Sequence, residues 1–75
     1  MNDVRRFTAM IYRENDGYVS LCPELDVASQ GDSVEEASAN LREAVELFIE
    51  TADASEVEGR LRSEMYVTAL EVSAG

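Results

Sequence analysis

The chain has 75 residues, with 16 acidic and 6 basic side chains and a formal charge of −10. That length makes a single domain over 1–75, and one so small buries only ~60–65% of its unfolded surface. The charge repels phosphate backbones and so excludes direct nucleic-acid binding by the chain alone, while the absence of histidine and lysine and the single cysteine exclude imidazole catalysis, a phosphate-binding lysine, a zinc cage and an internal disulfide.

Residues 1–4 are expected to fray. Arg5 to Arg13 predict a first strand, with Phe7, Ala9 and Ile11 on one face and Thr8, Met10 and Tyr12 on the other. Glu14-Asn15-Asp16-Gly17 has the composition of a hairpin turn, where residues tolerant of positive φ are needed. A second strand over Tyr18 to Cys22 sets Val19 and Leu21 against Tyr18, Ser20 and Cys22, and Pro23 removes a ladder donor and ends it. Cys22, in an apolar extended run, reads as a buried, inert thiol. Asp26 to Gln30 predict a short third strand bounded by Gly31, a glycine read as adopting a backbone conformation closed to other residues.

A capped helix follows. Ser33 stands at the N-cap position and Glu36 three residues on completes a capping box. Val34, Ala37, Leu41, Ala44, Val45, Phe48, Ile49 and Ala52 form one apolar stripe to about Ala52. Glu35, Glu36, Arg42, Glu43, Glu46, Glu50 and Asp53 make the outer face. Asn40, at the edge of the stripe, reads as a hydrogen-bond partner of the preceding loop. Ser55 with Glu58 can cap one further turn, which Gly59 is expected to stop. Glu64 to Val72 alternate as a last strand, Met65, Val67 and Ala69 against Tyr66, Thr68, Leu70 and Val72.

The order predicts an α+β fold, βββαβ, with an antiparallel three-stranded meander and one main helix on one face. A right-handed crossover places the fourth strand beside the first, giving sheet order 3-2-1-4. The uncovered face, with Met10, Tyr12, Tyr18, Tyr66 and Leu70 as candidates, needs cover from another polypeptide. A homodimer or tetramer is therefore expected, with Met10, Tyr12, Tyr66 and Leu70 as the oligomer face, or else a complex with a different chain. The acidity fits a basic protein partner, or plain solubility, as in a high-salt cytoplasm. A metal-dependent nuclease would need an acid in the middle of the first strand, and none occurs between Asp3 and Glu14. No catalytic residue, metal or cofactor is expected. No leader segment opens the chain and no apolar run approaches the ~20 residues of a membrane span. A cytoplasmic protein with no membrane association is expected.

Asp16-Gly17-Tyr18, Cys22-Pro23-Glu24-Leu25, Ser29-Gln30-Gly31-Asp32-Ser33, Glu35-Glu36-Ala37, Asn40-Leu41 and Glu43-Ala44 occur in this order over about half of the chain. Together they resemble the N-terminal domain of the HicB antitoxin family. That resemblance implies a partial ribonuclease H-like fold without nuclease activity. It also implies a partner, the small basic mRNA-cleaving toxin HicA, whose catalytic surface the antitoxin masks. Candidate contacts are Tyr18, Glu24 and Asp26 at the end of strands two and three, with Glu43 and Glu46 on the outer helix face. Two features depart from the family pattern. The chain runs directly from Leu25 through Asp26-Val27-Ala28 to Ser29 without the proline-glycine turn of many members. It also lacks the C-terminal DNA-binding module of full-length antitoxins, so operator binding is not expected of it. The alternative reading is a stand-alone oligomeric binding module with no toxin partner.

Overall fold

Two tight turns with left-handed residues shape the sheet. The computed structural model describes residues 5–62 and 64–75, and the end expected to fray, 1–4, lies outside them. Strand β1 (Met10–Glu14) turns at Asn15-Asp16 into β2 (Gly17–Cys22), which turns again into β3 (Val27–Gly31). Asn15 and Asp26, one in each turn, have φ of 55°, a region in which short polar side chains are the least penalised after glycine. The pairing is antiparallel throughout, in the order β1-β2-β3.

The first strand is shorter than its alternation predicts, beginning at Met10 rather than Arg5. Met10 pairs with Leu21, so continuing the register would set Thr8 opposite Pro23, which has no N–H to give. The Thr8 N–H turns instead to the Glu24 carboxylate.

Helix α1 (Val34–Thr51) begins as its cap residues dictate. The Ser33 hydroxyl accepts the Glu36 N–H at 3.1 Å, and the Glu36 carboxylate accepts the Asp32 N–H at 3.0 Å, a capping box displaced by one residue. The first turns of α1 lie directly on the sheet, because the residues between them are small. Ala37 and Ser20 are fully buried, and the Ser20 hydroxyl donates to the Ala37 carbonyl at 2.9 Å. Asn40 donates to the Gln30 carbonyl of β3 at 2.7 Å, the role expected of it, directed at a strand. Gly31 is a correction: its φ is not positive. Its need is space, since a Cβ there would stand 2.5 Å from the Ala37 nitrogen and 2.8 Å from the Glu36 carbonyl carbon.

Farther along α1 the core widens to Cys22, Leu25, Leu41 and Val45, with Phe7, Val27 and Phe48 packed against it. Each such aliphatic side chain contributes about 1.5–3 kcal/mol by leaving water. Leu25, at the β2–β3 turn, has no exposed surface at all.

The chain continues into α2 (Ala54–Arg62), a full helix where a single turn was expected. Asp53 rather than Ser55 opens it, its carbonyl accepting from Glu56 and Val57. Gly59 lies inside α2 and does not stop it, because Arg60 anchors the helix beyond that point. The Arg60 guanidinium donates to the Leu25 carbonyl, stacks over the Phe48 ring at 4.4 Å and pairs with Glu56 at 3.1 Å. The fourth strand expected over Glu64–Val72 is not formed: residues 64–75 have no regular structure and are exposed. A strand needs a neighbour, and none of β1, β2 or β3 pairs with this segment. The outer part of the predicted stripe is correspondingly bare, with Ile49 41% exposed.

Two substitutions separate space from conformation. Gly31→Ala pushes α1 off the sheet and is expected to cost about 1–3 kcal/mol in urea unfolding. Gly59→Ala, where an added Cβ meets nothing within 4 Å, is expected to stabilise by about 1 kcal/mol.

Candidate functional site

The register divides the sheet into two unlike faces. Tyr18, Ser20 and Cys22 turn toward α1, and Ile11 follows by its pairing with Ser20. Met10, Tyr12, Val19, Leu21 and Ala28 therefore share the opposite face, over which no helix lies. Met10 and Tyr12 are 45% and 49% exposed. This apolar sheet face is the principal candidate site. Tyr18, counted with it from the sequence, belongs to the α1 side, because the period of two that buries Ser20 carries Tyr18 with it. There it is half-buried and lines a cleft with Glu14, Asp16, Asp32 and Glu36 at the hairpin end of the sheet. Tyr66 and Leu70 are 85% and 84% exposed, but they lie in the segment after α2 and not on the sheet.

The acidic candidates separate in the same way. Glu43 and Glu46 are both exposed on α1, and Glu46 also lines a cleft with Phe7, Val45 and Ile49. Asp26 is exposed and occupies the left-handed position of its turn, which gives it a conformational role as well. Glu24 is engaged internally. Its carboxylate accepts the Thr8 N–H at 2.8 and 3.0 Å and the Thr8 hydroxyl at 2.7 Å, and the Cys22 thiol points at it from 3.6 Å. Partial burial works to raise the pKa of Glu24, but the hydrogen bonds from Thr8 and from its own backbone outweigh this and hold it below its ordinary value. Burial, joined by the neighbouring Glu24 charge, pushes the Cys22 thiol up, and the residue is 1% exposed. Among the described residues no three His, Cys, Asp or Glu side chains are grouped to hold a metal ion. Nor is any described helix long and apolar enough to cross a membrane.

Leu25 and Arg60 are the positions that sequence reasoning missed. Leu25 is signalled only by its place after Pro23-Glu24, and Arg60 only by being a cation in the last turn of a short helix.

The described residues form a small α+β domain, a three-stranded antiparallel sheet with one face covered by α1 and the other bare. Comparison with known proteins places it more closely. A UPF0150 protein of Helicobacter pylori is 32% identical over 66 residues, covering 87% of this chain and 92% of that protein. Two UPF0150 proteins of Synechocystis are 44% identical over 50 residues and 45% identical over 38. Those matches cover 64% and 49% of this chain, and 63% and 53% of the relatives' own lengths. The chain belongs to the UPF0150 family. No family model matches it, and no solved structure does.

The Glu24–Thr8 contact has a pH signature. Because the folded carboxyl is held below its unfolded value of ~4.3, its stabilisation is present above that pH and is lost as pH falls through the folded value. Glu24→Gln is expected to lower stability by about 1–2 kcal/mol at pH 7. Denaturant midpoints between pH 7 and 3 should then fall less steeply for the variant than for the parent.

Proposed function

We propose that the chain is a HicB-like antitoxin domain that binds and masks a small basic HicA-type mRNA-cleaving toxin, and that it has no enzymatic activity of its own. The observation that carries this reading is how the resemblance residues are used. Asp16-Gly17, Cys22 to Leu25 and Gly31 to Ser33 are the three corners of the fold, and Asn40 ties the third to the helix. Short motifs that fall at the turns and caps of the fold support the reading, because those are the positions where residue identity is most restricted. A partial ribonuclease H-like arrangement, completed by a fourth strand beside β1 that the single chain does not form, is part of the same proposal, as is a cytoplasmic location.

The acid-rich outer side of α1 supports a basic partner. A charge of −10 accelerates encounter with a cationic RNA-binding face at low salt and orients it. Glu43 and Glu46 are the contacts favoured here, with Tyr18 and Asp26 at the two ends of the sheet; Glu24 contributes through the shape of its corner.

The experiment is co-expression with a HicA-type ribonuclease, scored by co-purification and by protection of mRNA from cleavage. A stable complex that protects mRNA is expected; a toxin that stays free and active overturns the reading. In the complex, Glu43→Lys with Glu46→Lys is expected to slow association about tenfold at low salt and to flatten its salt dependence. Both residues are exposed, so the helix itself should survive, as circular dichroism would verify.

The bare sheet face favours a second reading, a stand-alone oligomeric binding module. It predicts a homodimer or tetramer without any toxin, with Met10 and Tyr12 in the interface. Tyr12→Glu should then lower the solution mass.

A further inference from the structure

The segment after α2 and the free edge of β1 have complementary shapes, patterns and charges. Residues 64–72 alternate as a strand does, yet Tyr66, Val67, Leu70 and Val72 are between 64% and 85% exposed. Among the described residues the segment makes no hydrogen bond to the rest of the chain; its one recorded bond is internal, from Thr68 to Ala69. The radius of gyration is 14.5 Å, against about 11 Å for a compact chain of this length. The molecule's long axis reaches 49 Å. The last turn of α2 is tied to the body of the domain through Arg60. Beyond that tie the segment runs outward.

At the other end of this relationship, β1 has a neighbour on one side only. Its open edge presents unpaired backbone groups that readily accept a strand. A mixed cleft, apolar at Phe7, Val45, Ile49 and Val57 and charged at Arg5, Glu46 and Glu58, opens between the approach to β1 and the two helices. The charges match as well. Three of the six arginines, Arg5, Arg6 and Arg13, lie along or beside the first strand, while Glu64 and Glu71 are the only charges in the segment. Arg6 and Arg13 are seven residues apart, as are Glu64 and Glu71. Both pairs align in one register, and the parallel direction, Arg6 with Glu64 and Arg13 with Glu71, also sets Met65, Val67 and Ala69 on the α1 side of the sheet and Tyr66, Leu70 and Val72 on the side of Met10 and Tyr12. The ion pairs formed within the described residues join Arg60 to Glu56 and Arg62 to Glu58, leaving Arg6 and Arg13 outside them.

We infer that residues 64–72 of one copy add as a fourth strand to the β1 edge of a second copy, and reciprocally, closing a twofold dimer. The inference rests on the oligomeric reading above and is independent of any toxin. One face of the donated strand, Met65, Val67 and Ala69, fills the cleft beside the partner copy's helices. The other, Tyr66, Leu70 and Val72, extends the apolar sheet face begun by Met10 and Tyr12. Each copy supplies a donor and an acceptor, so the exchange closes on itself and leaves neither edge free. With the nine donated residues, the accepting strand and the cleft lining, each protomer contributes about twenty residues, the scale of a stable interface.

The test uses the full chain. Light scattering on a sizing column is expected to give twice the 8.3 kDa chain mass. In a dimer assembled from isotope-labelled and unlabelled copies, nuclear Overhauser contacts between residues 64–72 and 6–14 are expected across copies. Val67→Pro should convert the dimer to a monomer while leaving the helical circular dichroism in place. Glu64→Arg with Glu71→Arg should weaken dimerisation about tenfold, and adding Arg6→Glu with Arg13→Glu should restore it. A monomeric parent at millimolar concentration overturns both this inference and the oligomeric reading. A dimer that survives Val67→Pro, or whose 64–72 contacts all lie within one copy, overturns the exchange alone and leaves the oligomeric reading standing.

Discussion

The closeness of α1 to the sheet is the constraint from which the rest of the structure follows. It is made by three small residues, Ser20, Gly31 and Ala37, and by one buried hydrogen bond between the first and the last. A hydroxyl buried without a partner would destabilise the fold by about 1–3 kcal/mol, and here the helix supplies the acceptor from its own backbone. Because that carbonyl is fixed, so is the rotation of α1 about its axis. Leu41 and Val45 then point into the sheet and the acidic positions point away. One short contact thus decides both what becomes core and what becomes surface.

The same contact explains why the two sheet faces differ. A helix this close can cover only β2, β3 and the edge of β1, and no described helix lies over the reverse side. Where a larger domain would place a second layer of helices, this one exposes Met10 and Tyr12.

Much of this was legible from residue patterns, and the failures are instructive. The hairpin, the Ser33 cap and the α1 stripe are local, with periodicity and cap chemistry that depend on neighbours a few residues away. Asn40 was legible because its place on the helical wheel left it one plausible direction. The role of Gly31 was not, because a close approach between elements and a left-handed backbone both select glycine, and only geometry separates them. The persistence of α2 through Gly59 depends on Arg60 reaching Leu25, 35 residues earlier in sequence, a tertiary contact that overrides local propensity. Tyr18 was placed beside Met10 and Tyr12 as one more aromatic, although its own strand alternation already carried it to the other side. The Glu24 carboxylate could be taken for a surface contact because its partner is a backbone N–H, which no sequence pattern displays.

The buried sulfur has a practical consequence. Cys22 sits at 1% exposure among Leu25, Leu41 and Val45, with a thiol that resists ionisation. An alkylating reagent can reach it only when the packing around it, to which Phe7, Leu41 and Val45 contribute, opens transiently. The rate of labelling therefore counts excursions of the native protein rather than the intrinsic nucleophilicity of the sulfur. Nature has left a single built-in clock at the point where strand, turn and helix meet, and it can be read without introducing any probe.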